Sequence, residues 1–321
     1  MIARSDRACF VGIDLHKDTL TTCVIRGKDR EVFFERKACK SRERISEFFA
    51  SLPRPSAVAI ETVGFYRWLW TELEPVVDQL TLCDARGTRA LAGRRIKTDR
   101  EDALNVALLL ADGRLPFARA PPENVQLLRN WTRHRNRLTR QHAKVLHHVK
   151  SIMNRVNRPG PTRLDAAGLQ RYLLAGTERF SADDLTMLWQ HQRRLVEIEQ
   201  DRARSERRIG ELMRAPEFAR IREIPESVPG VGLVTAAIVI GEIGDFSRFH
   251  DSKAIGRYAG LAPTVWTAIR CDAGLKKTWL RITKTAGRKA AAVAIARKIL
   301  VLMWTLVRKD EPYKSREPVA A

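Results

Sequence analysis

Two short apolar runs, Cys9–Asp14 (CFVGID) and Ala57–Glu61 (AVAIE), each end in a carboxylate. Runs of this length and composition predict buried strands, and buried strands need a sheet around them. The neighbouring segments supply it. Thr19–Arg26 (TLTTCVIR) and Glu31–Lys37 (EVFFERK) are rich in β-branched and aromatic residues, with Gly27, Lys28 and Asp29 as a turn between them, so three successive strands predict an antiparallel meander. Helical stretches follow at Ser41–Leu52, near Tyr66–Leu73 and from Lys97 to Gly113 (KTDREDALNVALLLADG), and a further strand at Gln79–Asp84.

Three strands followed by alternating helix and strand is the order of a ribonuclease-H-like sheet, in which the fourth strand lies beside the first. Asp14 and Glu61 then end adjacent strands, and Asp99 and Asp102, three apart, share one face of a helix. Carboxylates converging from two strands and a helix form a hard-oxygen site of the kind Mg²⁺ prefers. Two ions about 4 Å apart activate the attacking oxygen of a phosphodiester and stabilise the leaving one. Spacing alone also accommodates a plainer reading, in which strand-end acids are solvated and Asp99 caps its helix.

GIDLHKD (12–18), AIETVGFY (59–66) and KTDREDA (97–103) resemble, in order and spacing, three blocks of the DEDD transposases of the insertion-sequence "one-ten" family and its pilin-gene-invertase relatives. PGVGLVTAAIVIGEIGDFSRF (229–249) and RYAGLAP (257–263) resemble the family's carboxyl-terminal block. The resemblance implies a RuvC-like domain, a coiled coil and a carboxyl-terminal transposase domain. It implies Asp14, Glu61, Asp99 and Asp102 as catalytic residues and as ligands of Mg²⁺ (two ions, with Mn²⁺ as a substitute). It also implies a DNA target, a structured guide RNA and a homo-oligomer, dimer or tetramer. The family carries a serine after GLAP that becomes linked to DNA, whereas Thr264–Lys284 (TVWTAIRCDAGLKKTWLRITK) contains none. Ser252 lies upstream and does not match the motif. Thr264, Thr267 and Cys271 are the substitute nucleophiles on offer. Acids without the serine still hydrolyse a phosphodiester with water as nucleophile, which makes the chain similar in architecture to the RuvC-bearing nucleases of tandem-interspaced-guide-RNA systems, with their Nop-like RNA-binding part.

Charge points the same way. Of 321 residues 58 are Lys or Arg and 37 Asp or Glu, a formal charge of +21, on a chain 44% hydrophobic that can build a core. A folded polycation of this kind predicts a polyphosphate partner, with an acidic membrane surface as the weaker alternative. No run approaches the roughly 18 apolar residues of a membrane span, the amino terminus lacks a secretory segment, and five cysteines without CxxC spacing exclude a disulfide scaffold or zinc ribbon, so a cytoplasmic location is expected. From Arg114 to Arg163 there are twelve basic residues and one acid, Glu123. Leu128, Trp131, Leu138, Val145, Val149, Ile152 and Val156 follow heptad-like spacing there, interrupted by Arg135 and His142, and Leu195, Ile198, Ile209 and Leu212 continue it beyond the break NRPGPTR (157–163). Two long helices are expected, as an antiparallel hairpin or as a coiled coil pairing with another subunit. Arg129, Arg133, Arg137, Arg140 and Lys144 form a stripe suited to a phosphate backbone. His134, His142, His147 and His148 read as phosphate or solvent contacts.

In the last third, Gly230 and Gly232 of PGVG predict a helix-hairpin-helix turn that approaches a phosphate. Lys276, Lys277, Arg281 and Lys284, continued by Arg288 and Lys289, form a second basic cluster ahead of an apolar helix, Ala290–Leu306. Trp266, Trp279 and Trp304 read as packing residues. The expected fold is α/β plus α: a catalytic domain over 1–120, a basic coiled-coil segment over 121–215 and a helical transposase-type, Nop-like domain over 216–321. The expected function is RNA-guided, magnesium-dependent DNA cleavage by hydrolysis. A strand-exchanging transposase and a catalytically silent guide-RNA scaffold are the rivals.

Overall fold

The computed structural model describes residues 8–26, 30–39, 41–92, 98–176, 180–258, 269–270 and 272–314. Thr264, Trp266, Thr267, Cys271 and the GLAP stretch lie outside the described residues. The chain divides into two compact units, Met1–Ala120 and Pro121–Ala321.

The first unit is a mixed six-stranded sheet in the order β3-β2-β1-β4-β5-β6. β1 (Cys9–Leu15), β2 (Thr19–Arg26) and β3 (Glu31–Ala38) form the antiparallel meander; β4 (Ser56–Glu61) runs parallel to β1, and β5 (Gln79–Cys83) parallel to β4. This matches the ribonuclease-H-like order expected of the sequence. A two-residue edge strand, β6 (Phe117–Ala118), pairs antiparallel with β5.

Alternation along β1 decides what each face meets. Val11, Ile13 and Leu15, with Val58 and Ile60, pack under α1 (Arg42–Ala50) and α2 (Arg67–Leu73) through Ile45, Phe49, Leu69 and Leu73. On the opposite face Phe10, Ala57 and Ala59 meet α4 (Asp99–Asp112), which follows a short α3 (Ala85–Ala92) that the sequence pattern did not announce. α4 lies so close to the sheet that a Cβ on Gly12 would stand 2.2 Å from the Ala103 carbonyl oxygen and 2.4 Å from the Ala107 nitrogen. Thr98, not Asp99, caps α4: its hydroxyl accepts the Glu101 N–H. Asp99 is thereby released from the capping role that spacing alone allowed. Burial pushes the Cys9 thiol up to about 11 and those of Cys23 and Cys83 to about 12, so these cysteines are core residues without thiolate character.

The second unit is helical. α5 (Glu123–Arg155) and α7 (Ala182–Met213) pack antiparallel within the chain, with α6 (Ala166–Leu174) docked in the connection, and α6 is a second element the pattern did not predict. Leu138, Val145, Val149 and Ile152 face Leu188, Leu195 and Ile198 along the seam. The polar interruptions are spanned by cross-hairpin pairs: Arg135 with Glu206 at 2.8 Å and His142 with Glu199 at 3.0 Å. At its base the hairpin merges with another core. Val125, Leu128, Ile209 and Met213 pack with Phe218 of α8 (Pro216–Glu226), Ile240 of α9 (Leu233–Ile243) and Ile299 and Met303 of α11 (Ala273–Lys309); the short α10 (Ser252–Tyr258) adds Ile255.

α11 is not one straight rod. Gly287 has φ 79° and ψ 167°, and beyond it Lys298 reaches Thr278, twenty residues earlier, at 3.3 Å. Residues twenty apart on a straight helix would be about 30 Å apart. By length and hydropathy alone α11 passes for a membrane span. Arg297 and Lys298 nevertheless interrupt its apolar run; both are exposed while Ile295, Ile299, Leu300 and Met303 are buried in the unit. Trp279 and Trp304 pack inside as expected, the latter donating to the Phe246 carbonyl at 3.1 Å.

Candidate active site

Asp14 is the penultimate residue of β1, and its chain neighbour Ile13 pairs with Ile60 of β4. Glu61 therefore occupies the next position on the parallel neighbour, on the same face as Asp14. That face is the one α4 covers, and the first turn of α4 carries Asp99 and Asp102. The sheet's register and the helix's start thus bring all four expected acids to one end of the unit. They do not all come equally close.

The tight group is Asp14, His16 and Asp99, whose ligand atoms lie within 4.8 Å of one another. His16 Nε2 is 3.0 Å from Asp14 Oδ2 and 3.2 Å from Asp99 Oδ1, so one imidazole bridges a strand-end acid and a helix-start acid. Arg36 of β3 stands 3.6 Å from the other Asp99 oxygen. Among the described residues Glu61 and Asp102 are outside this group. Asp102 is nevertheless near enough for its charge to act on Asp14. The Asp14 side chain is only 7% exposed, and its pKa is raised, first by burial and then by Asp102 and Asp99, against the opposing pull of His16.

His16 was absent from the residues singled out by sequence. The signal was present: it sits two residues beyond Asp14 at the end of a strand, where alternate side chains share a face.

The donor set suits a divalent cation. Two carboxylates supply hard oxygens, and a cation would offset the burial and, after it, the neighbouring Asp102 and Asp99 charges that raise the Asp14 pKa. The imidazole widens the choice toward Mn²⁺ and away from a purely oxygen-ligated ion.

The expected basic stripe on α5 splits in two. Arg129 turns inward, donating to the carbonyls of Gly241 at 2.8 Å and Glu242 at 3.2 Å, and so satisfies the end of α9. Arg133 forms a two-pronged pair with the Glu242 carboxylate at 2.7 and 2.8 Å. Helix-end carbonyls and a carboxylate engage these two guanidiniums, because α9 packs directly on this part of α5. Arg137, Arg140 and Lys144 are exposed beyond that contact. Gly230 takes φ +82° in the turn between α8 and α9, and Gly232 precedes the first turn of α9 with open space where a Cβ would be. Lys276, Lys277, Arg281 and Lys284 are all exposed on the first arm of α11.

Two family models match the chain in order. The first, described as "Transposase" and built on DEDD enzymes of the IS110 type, covers residues 11–158. The second, "Transposase IS116/IS110/IS902 family", covers residues 222–311. The chain belongs to the IS110 family of transposases. The transposase for insertion sequence element IS1111A of Coxiella burnetii is 24% identical over 121 residues, 28% of this chain and 33% of the relative. An uncharacterized 44.8 kDa protein of insertion element IS116 from Streptomyces clavuligerus is 34% identical over 100 residues, 31% of this chain and 23% of the relative. The chain thus spans a third or less of the curated relatives it matches. The first model encloses Asp14, His16, Glu61, Asp99 and Asp102 and runs on beyond the acid-bearing unit through α5.

Proposed function

We propose that this IS110-family protein cleaves DNA phosphodiesters at the site formed by Asp14, Glu61, Asp99 and Asp102, with His16 as an added participant. The observation that carries the reading is the convergence of Asp14, His16 and Asp99 at one end of the sheet, inside the family match. Asp14 and Asp99 would hold a divalent cation, Mg²⁺ or Mn²⁺, and Glu61 and Asp102 would complete the site for a second. A cation held there would supply Lewis-acid chemistry for phosphodiester hydrolysis, lowering the pKa of the attacking water. The chain's own residues do the positioning. His16 ties the two acids from different elements into one geometry, and Thr98 fixes where α4 begins and so where Asp99 points.

Water is proposed as the nucleophile because the stretch following GLAP carries no serine. Strand exchange, as in a transposase, is the second reading, and family membership favours it. The proposed nucleic-acid partners are a DNA target and a structured guide RNA, the latter on the exposed Arg137, Arg140 and Lys144 of α5 or around Gly230, Gly232 and the cluster Lys276, Lys277, Arg281 and Lys284. A functional boundary near residue 215, a cytoplasmic location and a homo-oligomer belong to the same proposal. The deciding experiment is purification from the native host, sequencing of co-purifying RNA, and incubation with matching DNA and Mg²⁺ beside Asp14→Ala. Protein-free cuts with 5′-phosphate and 3′-hydroxyl ends that vanish in the variant establish hydrolysis. Protein–DNA adducts or exchanged strands establish recombination instead. Cutting that survives Asp14→Ala overturns the site.

A further inference from the structure

Beside the acids, on the β2–β3 side of the sheet, lies a half-open cavity of about 570 Å³ whose wall includes Thr21, Phe34, Glu35, Arg36, Asp99 and Arg100. Its chemistry is mixed in a particular way. Thr21 sits directly across from Asp14 in the β1–β2 ladder, is 3% exposed, and its hydroxyl has no hydrogen-bond partner among the described residues. A buried hydroxyl is normally satisfied, and one left over in the wall of a cavity marks where a bound group would complete it. Phe34 gives the wall an aromatic surface, with the Arg100 guanidinium 5.5 Å from its ring centre. Arg36 and Arg100 are both exposed, so two guanidiniums border the opening. The Glu35 carboxylate is engaged by Lys37 at 3.0 Å, and Asp99 by His16.

A bare anion would meet two acids here, and a purely apolar ligand would waste two guanidiniums and a hydroxyl. A nucleotide uses all of them. We propose that this cavity is a subsite for one nucleotide of the strand being cut, next to the scissile phosphate: its base or sugar lies on Phe34, its phosphate lies between Arg36 and Arg100, and the Thr21 hydroxyl bonds an oxygen of that phosphate or sugar. The assignment of the occupant to the cut strand rests on the cleavage reading above; the occupancy of the cavity by a nucleotide does not. Guanidinium pairs match phosphate, and aromatic faces accept any base, so the subsite reads position along the strand without reading sequence.

The test uses the full-length protein and oligothymidylate carrying 5-iododeoxyuridine at one position, photocrosslinked with Mg²⁺ present and analysed by peptide mass. A crosslink to Phe34 is expected, lost in Phe34→Leu. Its yield should fall about tenfold in Arg36→Ala and in Arg100→Ala, whose exposed side chains leave folding intact, and severalfold in the near-isosteric Thr21→Val but not in Thr21→Ser. Crosslinks confined to the helical second unit, or a Phe34 crosslink indifferent to Arg36, Arg100 and Thr21, overturn the subsite. Because the readout is binding and not cutting, loss of the cleavage reading through an active Asp14→Ala variant would leave this result standing on its own.

Discussion

Asp14 is held in a state that costs stability. Its carboxyl is buried at the end of β1 with Asp99 and Asp102 close by, and its pKa is raised above the ordinary carboxylate value. The folded form therefore keeps the proton to a higher pH than the unfolded form does, and stability falls as pH rises from the unfolded value through the raised one. Asp14→Asn removes that loss. In metal-free buffer the variant should melt at a higher temperature than the parent at pH 7, with the difference shrinking as pH falls and gone by about pH 3, below the ordinary aspartate value, where both states of the parent hold the proton. Mg²⁺ should stabilise the parent and leave the variant unmoved; an Asp14→Asn protein no more stable than its parent would show that the site is already compensated. His16 makes a separate prediction. Since it bridges Asp14 and Asp99, His16→Ala should weaken metal-dependent activity about 10- to 100-fold, seen as a higher Mg²⁺ concentration for half-maximal cutting. The acids were legible in sequence because each ends an apolar run or opens a helix, places where a carboxylate is conspicuous. His16 was not, because a histidine beyond a strand end looks like any solvated loop residue until the first turn of α4 is known to lie over it.

The element that positions the site is α4, and its distance from the sheet is set by one glycine. A methyl group at Gly12 would drive into the backbone of Ala103 and Ala107, one turn apart on a rigid helix whose backbone cannot swing away. Gly12→Ala should destabilise the protein by about 3 kcal/mol in urea unfolding and, in whatever fraction stays folded, separate Asp99 from Asp14 and lose cutting. Gly12→Ala with parental stability and activity would mean that α4 is free to shift. The strand order and the closing helix could be read from apolar runs, because period and length constrain both. The fold-back of α11 could not. KTAGRKA (284–290) lies within a continuous helical pattern, and a lone glycine there is compatible with an uninterrupted helix. Only the conformation, φ 79° and ψ 167°, a region open essentially to glycine, shows that the chain turns there. Gly287→Ala is accordingly expected to destabilise by about 1–3 kcal/mol even though open space surrounds it.

Across the whole molecule the net charge of +21 agrees with the proposed nucleic-acid partner, but it does not say which cations meet phosphate. Helix spacing placed Arg129, Arg133, Arg137, Arg140 and Lys144 in one stripe, and packing divides them, since α9 lies against the first part of α5 and engages Arg129 and Arg133. A sequence shows which face of a helix is basic; it does not show which part of that face a distant segment covers. The division makes the two groups separable by experiment. Each phosphate contact contributes a slope of about 0.7–0.9 to the fall of log affinity with log salt. Replacing Arg137, Arg140 and Lys144 together by Gln should therefore flatten the salt dependence of binding to a single-stranded oligonucleotide by about 2 to 3 while leaving the melting temperature close to that of the parent. Arg129→Gln should do the opposite, lowering the melting temperature through the α9 carbonyls it abandons, with little change in slope for the protein that remains folded. If Arg129→Gln flattens the slope and the triple variant does not, the phosphate-facing part of α5 lies at its base, and the guanidinium must leave α9 when nucleic acid binds.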